Sequence, residues 1–169
     1  MNSILASWNG TDPTSALEVM IDCCGSRRWA LGMVDIRPIT SEQQVHETAD
    51  RLWSAATESD WLEAFASHPR IGDRTPAFAS HRSSAWSEQE QSSTQSAADA
   101  ILASLAEGNL RYENQFGFTY IVCATGKTPE EMLSILERRL SNSRKKELLE
   151  AAEQQREIMH IRLRKWLAP

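Results

Sequence analysis

The chain has 169 residues and a mass of 19.0 kDa, enough to bury a core without disulfides or metals. Hydrophobic residues make up 41% and charged residues 24%, an ordinary globular usage that argues against disorder and against a membrane protein. The net charge of −5 argues against nucleic acid or an anionic membrane as partner, so a small ligand is expected. These quantities predict a single domain over residues 1–169.

The cysteines and the N-terminal residues favour the cytoplasm. Cys23, Cys24 and Cys123 are odd in number and two are adjacent, a poor basis for a disulfide framework. The first eight residues lack the basic segment and apolar core of a secretory signal, and no stretch approaches the roughly eighteen apolar residues of a membrane helix. A cytoplasmic protein is therefore expected.

Four helices are predicted in the first part of the chain from apolar residues at three- and four-residue spacing behind capping residues. They begin at Asp12-Pro13, Ser26, Thr40-Ser41 and Ser59, and they end at Cys24-Gly25, before Pro38, near Ala56 and at His68. Pro69 ends the fourth helix because a residue that precedes proline is pushed out of the α region. Residues 69–85 then form a loop of a length typical of functional sites.

The second part of the chain predicts three more helices and one extended segment. The helices run from Trp86 to about Asn109, from Thr128-Pro129 to about Leu140, and from Asn142 or Ser143 to Trp166. The segment from Phe116 to Ala124 is rich in β-branched and aromatic residues, which favours a buried, non-helical stretch. The expected fold is an all-α helical bundle with one short extended segment near residues 118–124.

Three polar side chains lie where chemistry is plausible. His68 stands on a stiff corner before Pro69. Glu90 shares a helix face with Thr94, Ala97, Ala98, Ile101 and Leu105, and a carboxylate on a buried face has a raised pKa suited to proton transfer. Arg162 lies near the apolar stripe of Leu148, Ala152, Met159 and Trp166, whereas Arg164 points away. An inward guanidinium needs an anion, which a ligand can supply.

Plainer interpretations stay open for the same residues. A His-Pro corner is often only a turn, and Glu90 and Arg162 can form a structural ion pair. His46 and His160 are expected to be solvated or at the edge of the core, and the six tryptophans are expected to be core residues. His68, His81 and Asp73 have no spacing typical of a metal site. Phosphate-loop, His-Glu-x-x-His and nucleophile-elbow motifs are absent from the sequence.

Six blocks of sequence carry a resemblance to a known family. In chain order they are Cys23-Cys24-Gly25-Ser26 with Trp29 and Arg37-Pro38, His68-Pro69-Arg70-Ile71-Gly72, Trp86-Ser87 with Glu90-Gln91, Phe116-Gly117-Phe118 with Ile121-Val122-Cys123, Arg139-Leu140 with Asn142, and Arg162-Leu163. The chain thereby resembles the 2-oxo-4-hydroxy-4-carboxy-5-ureidoimidazoline (OHCU) decarboxylases of urate degradation.

The resemblance implies a usually homodimeric, all-α carboxy-lyase that uses no cofactor and no metal and releases CO2 and (S)-allantoin. The family's catalytic groups fall on His68, Glu90 and Arg162. Its substrate contacts fall on Pro69, Ser87, Glu88, Gln89, Gln91 and the backbone of Tyr120, Ile121, Val122, Cys123 and Ala124. His68 is expected to handle the proton of the substrate hydroxyl, and Glu90 and Gln91 to hold the ureido side. Arg162 either binds substrate oxygens or positions Glu90.

Two departures from the family pattern concern local geometry. Thr119 stands where proline commonly follows Phe-Gly-Phe, and residues 75–84 are rich in serine with an additional His81. Two other functions remain alternatives to the decarboxylase. One is a metal-free hydrolase of a cyclic amide or ureide that uses the same histidine and glutamate. The other is a non-enzymatic helical ligand-binding module.

Overall fold

The computed structural model describes residues 2–71 and 88–168, with the backbone alone for residues 88–96. Within these residues the chain forms eight α-helices and no β-strand, which confirms the all-α prediction. The helices are α1 (Ser3–Gly10), α2 (Pro13–Cys24), α3 (Arg27–Asp35), α4 (Glu42–Ser54), α5 (Glu58–Ala66), α6 (Glu88–Phe116), α7 (Pro129–Arg139) and α8 (Arg144–Leu167). They belong to two compact units, Met1–His68 with Leu148–Pro169, and Pro69–Glu147.

Side-chain caps begin most helices where the sequence predicts them. Asp12 accepts hydrogen bonds from the backbone N–H groups of Thr14 and Ser15, both at 3.0 Å, and thereby starts α2. Ser26 and Ser41 cap α3 and α4 in the same manner. Thr128 starts α7 with a full capping box. Each cap satisfies N–H groups that have no partner inside the helix.

The starts of α1 and α5 differ from the prediction, and the structure decides between the two residues predicted to begin α8. Helix α1 was not predicted, and Asn2 caps it by accepting from the N–H groups of its first turn. Thr57, not Ser59, caps α5, because Asp60 completes a capping box in which the sequence rule looks for Glu or Gln. Ser143 is the cap of α8, since its Oγ accepts from Lys146 N–H at 3.3 Å.

Helix α6 extends seven residues beyond the predicted end near Asn109. Gly108 is a packing residue and not a terminator: a Cβ at this position would overlap the side chain of Leu136 on α7. The helix ends at Gly117, which has φ +81 and donates its N–H to Glu113 O at 2.8 Å. A left-handed residue directly after a helix is the usual glycine stop signal.

The predicted apolar face of α6 is wrong at Ala97 and Ala98. Ala97 and Ala98 are exposed, and Ile101 is only partly buried. Burial begins at Leu105 and continues through Asn109, Tyr112 and Phe116, at spacings of three and four residues. The large side chains therefore define the packed stripe of this helix, while the small alanines upstream of it face solvent.

Tryptophan indoles join the helices of the first unit, as the core interpretation predicts. Trp8, Trp29 and Trp53 are each at most 4% exposed. Each indole N–H donates to a backbone carbonyl of another helix at 3.0 Å, and the acceptors are Ala16, Ala49 and Ala152 respectively. A buried indole needs such an acceptor, so these bonds specify which helix faces meet.

A polar network links α4 to α8 within the same unit. His46 Nδ1 lies 2.7 Å from His160 Nδ1, and His160 Nε2 lies 2.6 Å from Asp50 Oδ1. Arg156 binds both carboxylate oxygens of Asp50, at 2.6 and 2.9 Å, and also Glu153 at 3.0 Å. Both histidines are half-buried and paired, so of the two expected positions they take the one at the edge of the core.

This network predicts a loss of stability in acid. Burial, His160 and the positive charge of Arg164 lower the pKa of His46, against the opposing carboxylates of Asp50 and Glu42. A histidine whose pKa is lower in the folded state destabilises the fold as pH falls through its unfolded pKa of about 6.5. The melting temperature is therefore expected to fall between pH 7.5 and 5.5.

His46→Gln tests this expectation, because glutamine can still donate to His160 but does not titrate. The variant is expected to lose less of its melting temperature over this pH range than the unmodified chain, as measured by circular dichroism at fixed salt. Equal losses for both proteins would show that His46 does not contribute to the acid sensitivity.

The second unit is built around a buried ion pair. Arg139 on α7 and Glu147 at the start of α8 both have fully buried side chains. Arg139 Nε donates to Glu147 Oε1 at 2.7 Å, and Asn142 Nδ2 donates to Glu147 Oε2 at 2.8 Å. The hydroxyl of Tyr112 on α6 donates to the same carboxylate. One carboxylate thus connects all the helices of this unit.

The segment between α6 and α7 is buried and non-helical, as predicted. Tyr120, Ile121, Val122 and Cys123 are each at most 5% exposed and carry no helical or strand structure. The Tyr120 hydroxyl donates to Met132 O at 3.1 Å, which attaches the segment to α7. None of the helices described is both long and apolar enough to cross a membrane.

Candidate active site

The His68 corner is formed by the end of α5. The helix stops at Ala66, and the backbone N–H groups of Ser67 and His68 donate to Ala64 O and Phe65 O at 3.2 and 3.1 Å. This single tight turn places His68 directly before Pro69, whose fixed ring prevents the helix from continuing. The position of the imidazole is thus set by backbone geometry.

The end of α2 packs against this corner because residue 25 is glycine. Gly25 has φ +82, and a Cβ at this position would lie 2.8 Å from Ser67 Cβ and would overlap Ser67 Oγ. Any side chain here would therefore be strained in its backbone and would also displace the residue next to His68. Gly25 therefore ends α2 and also provides the space into which Ser67, next to His68, packs.

The His68 ring is half-buried and bonded on one side. Its Nε2 lies 2.6 Å from Oε1 of Gln155 on α8, while the residues described offer no hydrogen bond to Nδ1. Burial and the nearby charge of Arg162 lower the pKa of His68, and the bond to Gln155 acts in the opposite direction. His68 is therefore neutral at pH 7, the state in which an imidazole can accept a proton.

Arg162 lies within electrostatic range of His68 in the same unit. Its Nη1 donates to the carbonyl of Asp22 at the end of α2, at 3.2 Å. No carboxylate among the residues described pairs with this guanidinium, although a guanidinium has five N–H donors. Arg162 is half-buried and Arg164 is exposed, which agrees with the predicted difference in their orientation.

The cysteines of α2 line this region as protonated thiols. Burial raises the pKa of Cys23 to about 11 and that of Cys24 to about 12, against the opposing effect of Arg162. All three cysteines of the chain are buried and free. Thiols with such pKa values are poor nucleophiles at neutral pH, so these cysteines are not candidates for nucleophilic catalysis.

The predicted backbone contacts lie in the second unit. Arg139 Nη1 donates to Ile121 O at 2.6 Å, and Lys127 Nζ donates to Cys123 O at 2.8 Å. Among the residues described, the backbone of Val122 between them has no hydrogen-bond partner. Side chains thus hold this segment on both sides of Val122, and Val122 keeps a buried N–H and carbonyl for another partner.

Several predicted site residues lie outside the described part of the chain. Ser87 is among them, and so are Asp73 and His81, whose spacing was compared with that of metal sites. For Glu88, Gln89, Glu90 and Gln91 the structure describes the backbone of α6 but not the side chains. Pro69 is described, is exposed and belongs to the second unit. The roles of all these residues stay predictions.

The sequence prediction missed Gln155 as a residue of the site. It is fully buried, with its amide between His68 and the Cys24 carbonyl. A signal was present, because residue 155 lies on the stripe of Leu148, Ala152 and Met159, at the helical spacings of four, three and four residues. A buried amide on an apolar stripe requires polar partners, which makes it a candidate for a functional contact.

Comparison with known proteins now bears on this geometry. The family model of OHCU decarboxylase matches residues 9–164, nearly the whole chain. The chain belongs to the OHCU decarboxylase family. Gly25, in the first of the blocks that carried the sequence resemblance, lies against Ser67, the residue before His68. Family membership also accounts for the all-α fold.

Individual relatives agree with this assignment. The chain is 37% identical over 144 residues to the uric acid degradation bifunctional protein TTL of Arabidopsis thaliana, covering 85% of this chain but 44% of that protein. It is 26% identical to the OHCU decarboxylase of Haloferax volcanii, covering 75% and 73% of the two chains. The chain thus spans less than half of the Arabidopsis relative.

Solved structures show the same fold. A crystal structure of an OHCU decarboxylase determined in the presence of (S)-allantoin superposes with a TM-score of 0.72 at 34% identity, covering 88% of this chain and 96% of that one. A crystal structure of an (S)-allantoin synthase has a TM-score of 0.69 at 17% identity and covers 96% of this chain and 53% of that one. The second likeness concerns the fold alone.

Proposed function

We propose that this chain decarboxylates OHCU and releases CO2 and (S)-allantoin. The observation that carries the proposal is the family match over residues 9–164. The relatives' names support the choice of substrate and product, since one is an OHCU decarboxylase and one was crystallised with (S)-allantoin. The reaction uses no cofactor, because the substrate itself can hold the electrons that CO2 leaves behind.

The chemistry of the substrate defines what the protein must do. Its carboxylate sits on a carbon that bears a hydroxyl, next to a ring carbon in a C=N bond. When the bond to CO2 breaks, its electron pair moves into the C=N system, and a proton then returns to carbon on one face. The protein must orient the carboxylate, remove water from it and deliver that proton stereospecifically.

His68 is the proposed group for the hydroxyl proton. Three observations support this role: the stiff corner before Pro69, a pKa lowered by burial and by Arg162, and an Nδ1 that the described residues leave without a hydrogen bond. A neutral imidazole held in this way accepts a proton without a large rearrangement. It then returns the proton within the same turnover.

Arg162 is the proposed anion-binding group. It lies on α8, and among the described residues only its Nη1 has a hydrogen-bond partner, Asp22 O, which leaves further N–H donors for a ligand. A guanidinium recognises a carboxylate or other substrate oxygens through paired N–H donors. Its charge also favours the neutral form of His68, so the two groups support one another.

The remaining assignments rest on the family resemblance. We propose that Glu90 and Gln91 hold the ureido side of the substrate. Further contacts are assigned to Pro69, Ser87, Glu88, Gln89 and the backbone of Tyr120 to Ala124. The backbone of Val122, which has no hydrogen-bond partner among the described residues, supports the last of these. A ring with ureido and carbonyl groups offers both the donors and the acceptors that such a backbone segment binds.

The test of the proposed function is the chirality of the product. Freshly generated OHCU is mixed with the protein, and allantoin formation is followed by circular dichroism together with CO2 release. One enantiomer, formed faster than the spontaneous decay, is the expected result. Racemic allantoin at the spontaneous rate would refute the proposal, and ring opening without CO2 would favour the hydrolase alternative.

We further infer a homodimer located in the cytoplasm. The family resemblance supports the dimer, and three free, buried cysteines suit a reducing compartment. The substrate and product are small molecules, so neither nucleic acid nor a membrane is required as a partner. Light scattering on the purified chain measures the oligomeric state, and a mass near 19.0 kDa would contradict the dimer.

A further inference from the structure

We propose that Gln155 is a positioning residue for the decarboxylation, which holds His68 as the Nε2–H tautomer and leaves Nδ1 as the atom that exchanges a proton with substrate. This inference rests on the proposed function. Gln155 lies on α8 and is fully buried, 87 residues away from His68 in sequence. Its amide bridges the imidazole and the end of α2.

The amide of Gln155 can take only one orientation. Its Nε2 lies 3.1 Å from the carbonyl oxygen of Cys24. A carbonyl oxygen only accepts hydrogen bonds, so the NH2 group of the amide must face Cys24 and Oε1 must face His68. The opposite orientation would bring two oxygens together at Cys24.

The orientation of the amide determines the tautomer of His68. Oε1 of Gln155 lies 2.6 Å from His68 Nε2 and, as an amide oxygen, can only accept. Nε2 must therefore carry the hydrogen. A neutral imidazole has a single N–H, so Nδ1 carries the lone pair. When the ring takes up a second proton, the Nε2–H bond stays in place and Nδ1 receives that proton.

The anchor of this arrangement is the C-terminal end of a helix. Cys24 is the last residue of α2, where carbonyl groups lack helical N–H partners. Gln155 Nε2 supplies a partner to one of them and ties the amide to a rigid backbone. The same helix end meets the histidine corner through Gly25 and Ser67. The end of α2 therefore contacts both partners of the hydrogen bond, His68 through Ser67 and Gln155 through Cys24 O.

The charges around the ring give the Gln155 bond a measurable effect. Among the residues described, the charged group that acts on His68 is Arg162 on α8, while the thiols of Cys23 and Cys24 on α2 keep their protons at neutral pH. Burial and Arg162 lower the pKa of His68, and Gln155 raises it. Loss of the Gln155 acceptor should therefore lower this pKa further, and a carboxylate in its place should raise it.

The first experiment measures the ring directly. Long-range 1H–15N NMR of the free protein reports the tautomer and the pKa of His68 independently of turnover. The Nε2–H tautomer is expected in the unmodified chain. Gln155→Met is expected to give a mixture of tautomers and a lower pKa, whereas Gln155→Glu should keep Nε2–H and raise the pKa. Gln43→Met, at an exposed amide of α4, is the matched control and should leave both unchanged.

The second experiment measures turnover of freshly generated OHCU against pH. Gln155→Met is expected to lower kcat by roughly ten- to a hundredfold with little change in KM, because positioning of a general base affects mainly the transition state. Gln155→Glu should recover part of the loss and move the acidic limb of the pH profile to higher pH. A purely structural glutamine would not move that limb.

Distinct outcomes separate this inference from the proposed function. An Nδ1–H tautomer in the unmodified chain would overturn the inference even if (S)-allantoin forms, and this readout requires no folded variant. An unchanged tautomer and pH profile in a folded Gln155→Met protein would overturn it as well. Racemic product from the unmodified chain would instead refute the proposed function, while the NMR data would still report whether Gln155 controls the ring.

Discussion

His68→Ala is expected to lower kcat/KM for (S)-allantoin formation by about 10²–10⁴-fold while the protein remains folded. The expected loss follows from removal of the neutral imidazole to which we assign the hydroxyl proton. The ring is half-buried at the surface end of α5, so its removal leaves no large cavity in the core. The measurement is the initial rate of enantiomer formation by circular dichroism, corrected for spontaneous decay.

The controls separate chemistry from folding. His46→Gln removes another half-buried imidazole of the same unit and should retain turnover near that of the unmodified chain at pH 7.5. Added imidazole should partly restore the rate of His68→Ala, since a small base can enter the space the side chain vacates. Near-normal formation of (S)-allantoin by folded His68→Ala would contradict the assignment of His68.

The same assay tests whether Glu90 and Arg162 act with His68. Glu90→Ala and Arg162→Ala are each expected to slow turnover strongly. Residues that act as a unit on one substrate show non-additive effects, so His68→Ala combined with Glu90→Ala should cost little more than the worse single variant. Multiplicative losses would indicate independent roles, and loss of stability without loss of turnover would favour the structural ion pair.

Glu147→Gln is expected to destabilise the protein by about 3–5 kcal/mol, the usual consequence of leaving one member of a buried ion pair without its partner. Arg139 would keep its charge with 0% of its side chain exposed. Burial by itself would lower the pKa of Arg139, but the hydrogen bond from Arg139 to Glu147 holds it above its usual value. Urea denaturation followed by circular dichroism measures the change in free energy of unfolding.

Comparison with a surface pair makes this prediction specific. Glu153→Gln removes a carboxylate from Arg156 where the glutamate side chain is 56% exposed, and it should cost less than about 1 kcal/mol. Arg139→Met removes the other charge of the pair. This variant leaves the Glu147 carboxylate without Arg139, whereas Glu147→Gln leaves the Arg139 guanidinium without the carboxylate charge of Glu147. A cost below about 1 kcal/mol for Glu147→Gln would show that the pair contributes little to stability.

The buried pair also bears on the site. Arg139 donates to Ile121 O, and its guanidinium carbon lies 4.9 Å from the centre of the Tyr120 ring. These contacts hold the backbone segment to which substrate contacts are assigned. A residue of the family motif, Arg139, thus has a structural explanation: it ties the segment to α7 and α8. Arg139 is part of the motif that carries the family resemblance, but its partners could not be predicted from the sequence.

Local signals explain why much of the fold was predictable. Asp12, Ser26 and Thr128 mark helix starts because each cap bonds N–H groups two or three residues away. The errors have local causes too. The sequence rule misses Thr57 because its capping box uses Asp60 in place of Glu or Gln. The predicted end of α6 near Asn109 is seven residues early, because Gly108 makes room for Leu136 and the helix continues to Phe116.

The all-α class and the histidine corner before Pro69 are predictable from sequence, because helical periodicity, caps and proline act over a few neighbouring residues. The family was recognised separately, from the six motif blocks. Only the tertiary structure decided which groups meet. Gln155 reaches His68 across 87 residues and Cys24 across 131, and Glu147 accepts a hydrogen bond from Arg139 on another helix. Such partners depend on how helices pack, and a buried polar group is stable only with the partner that packing supplies.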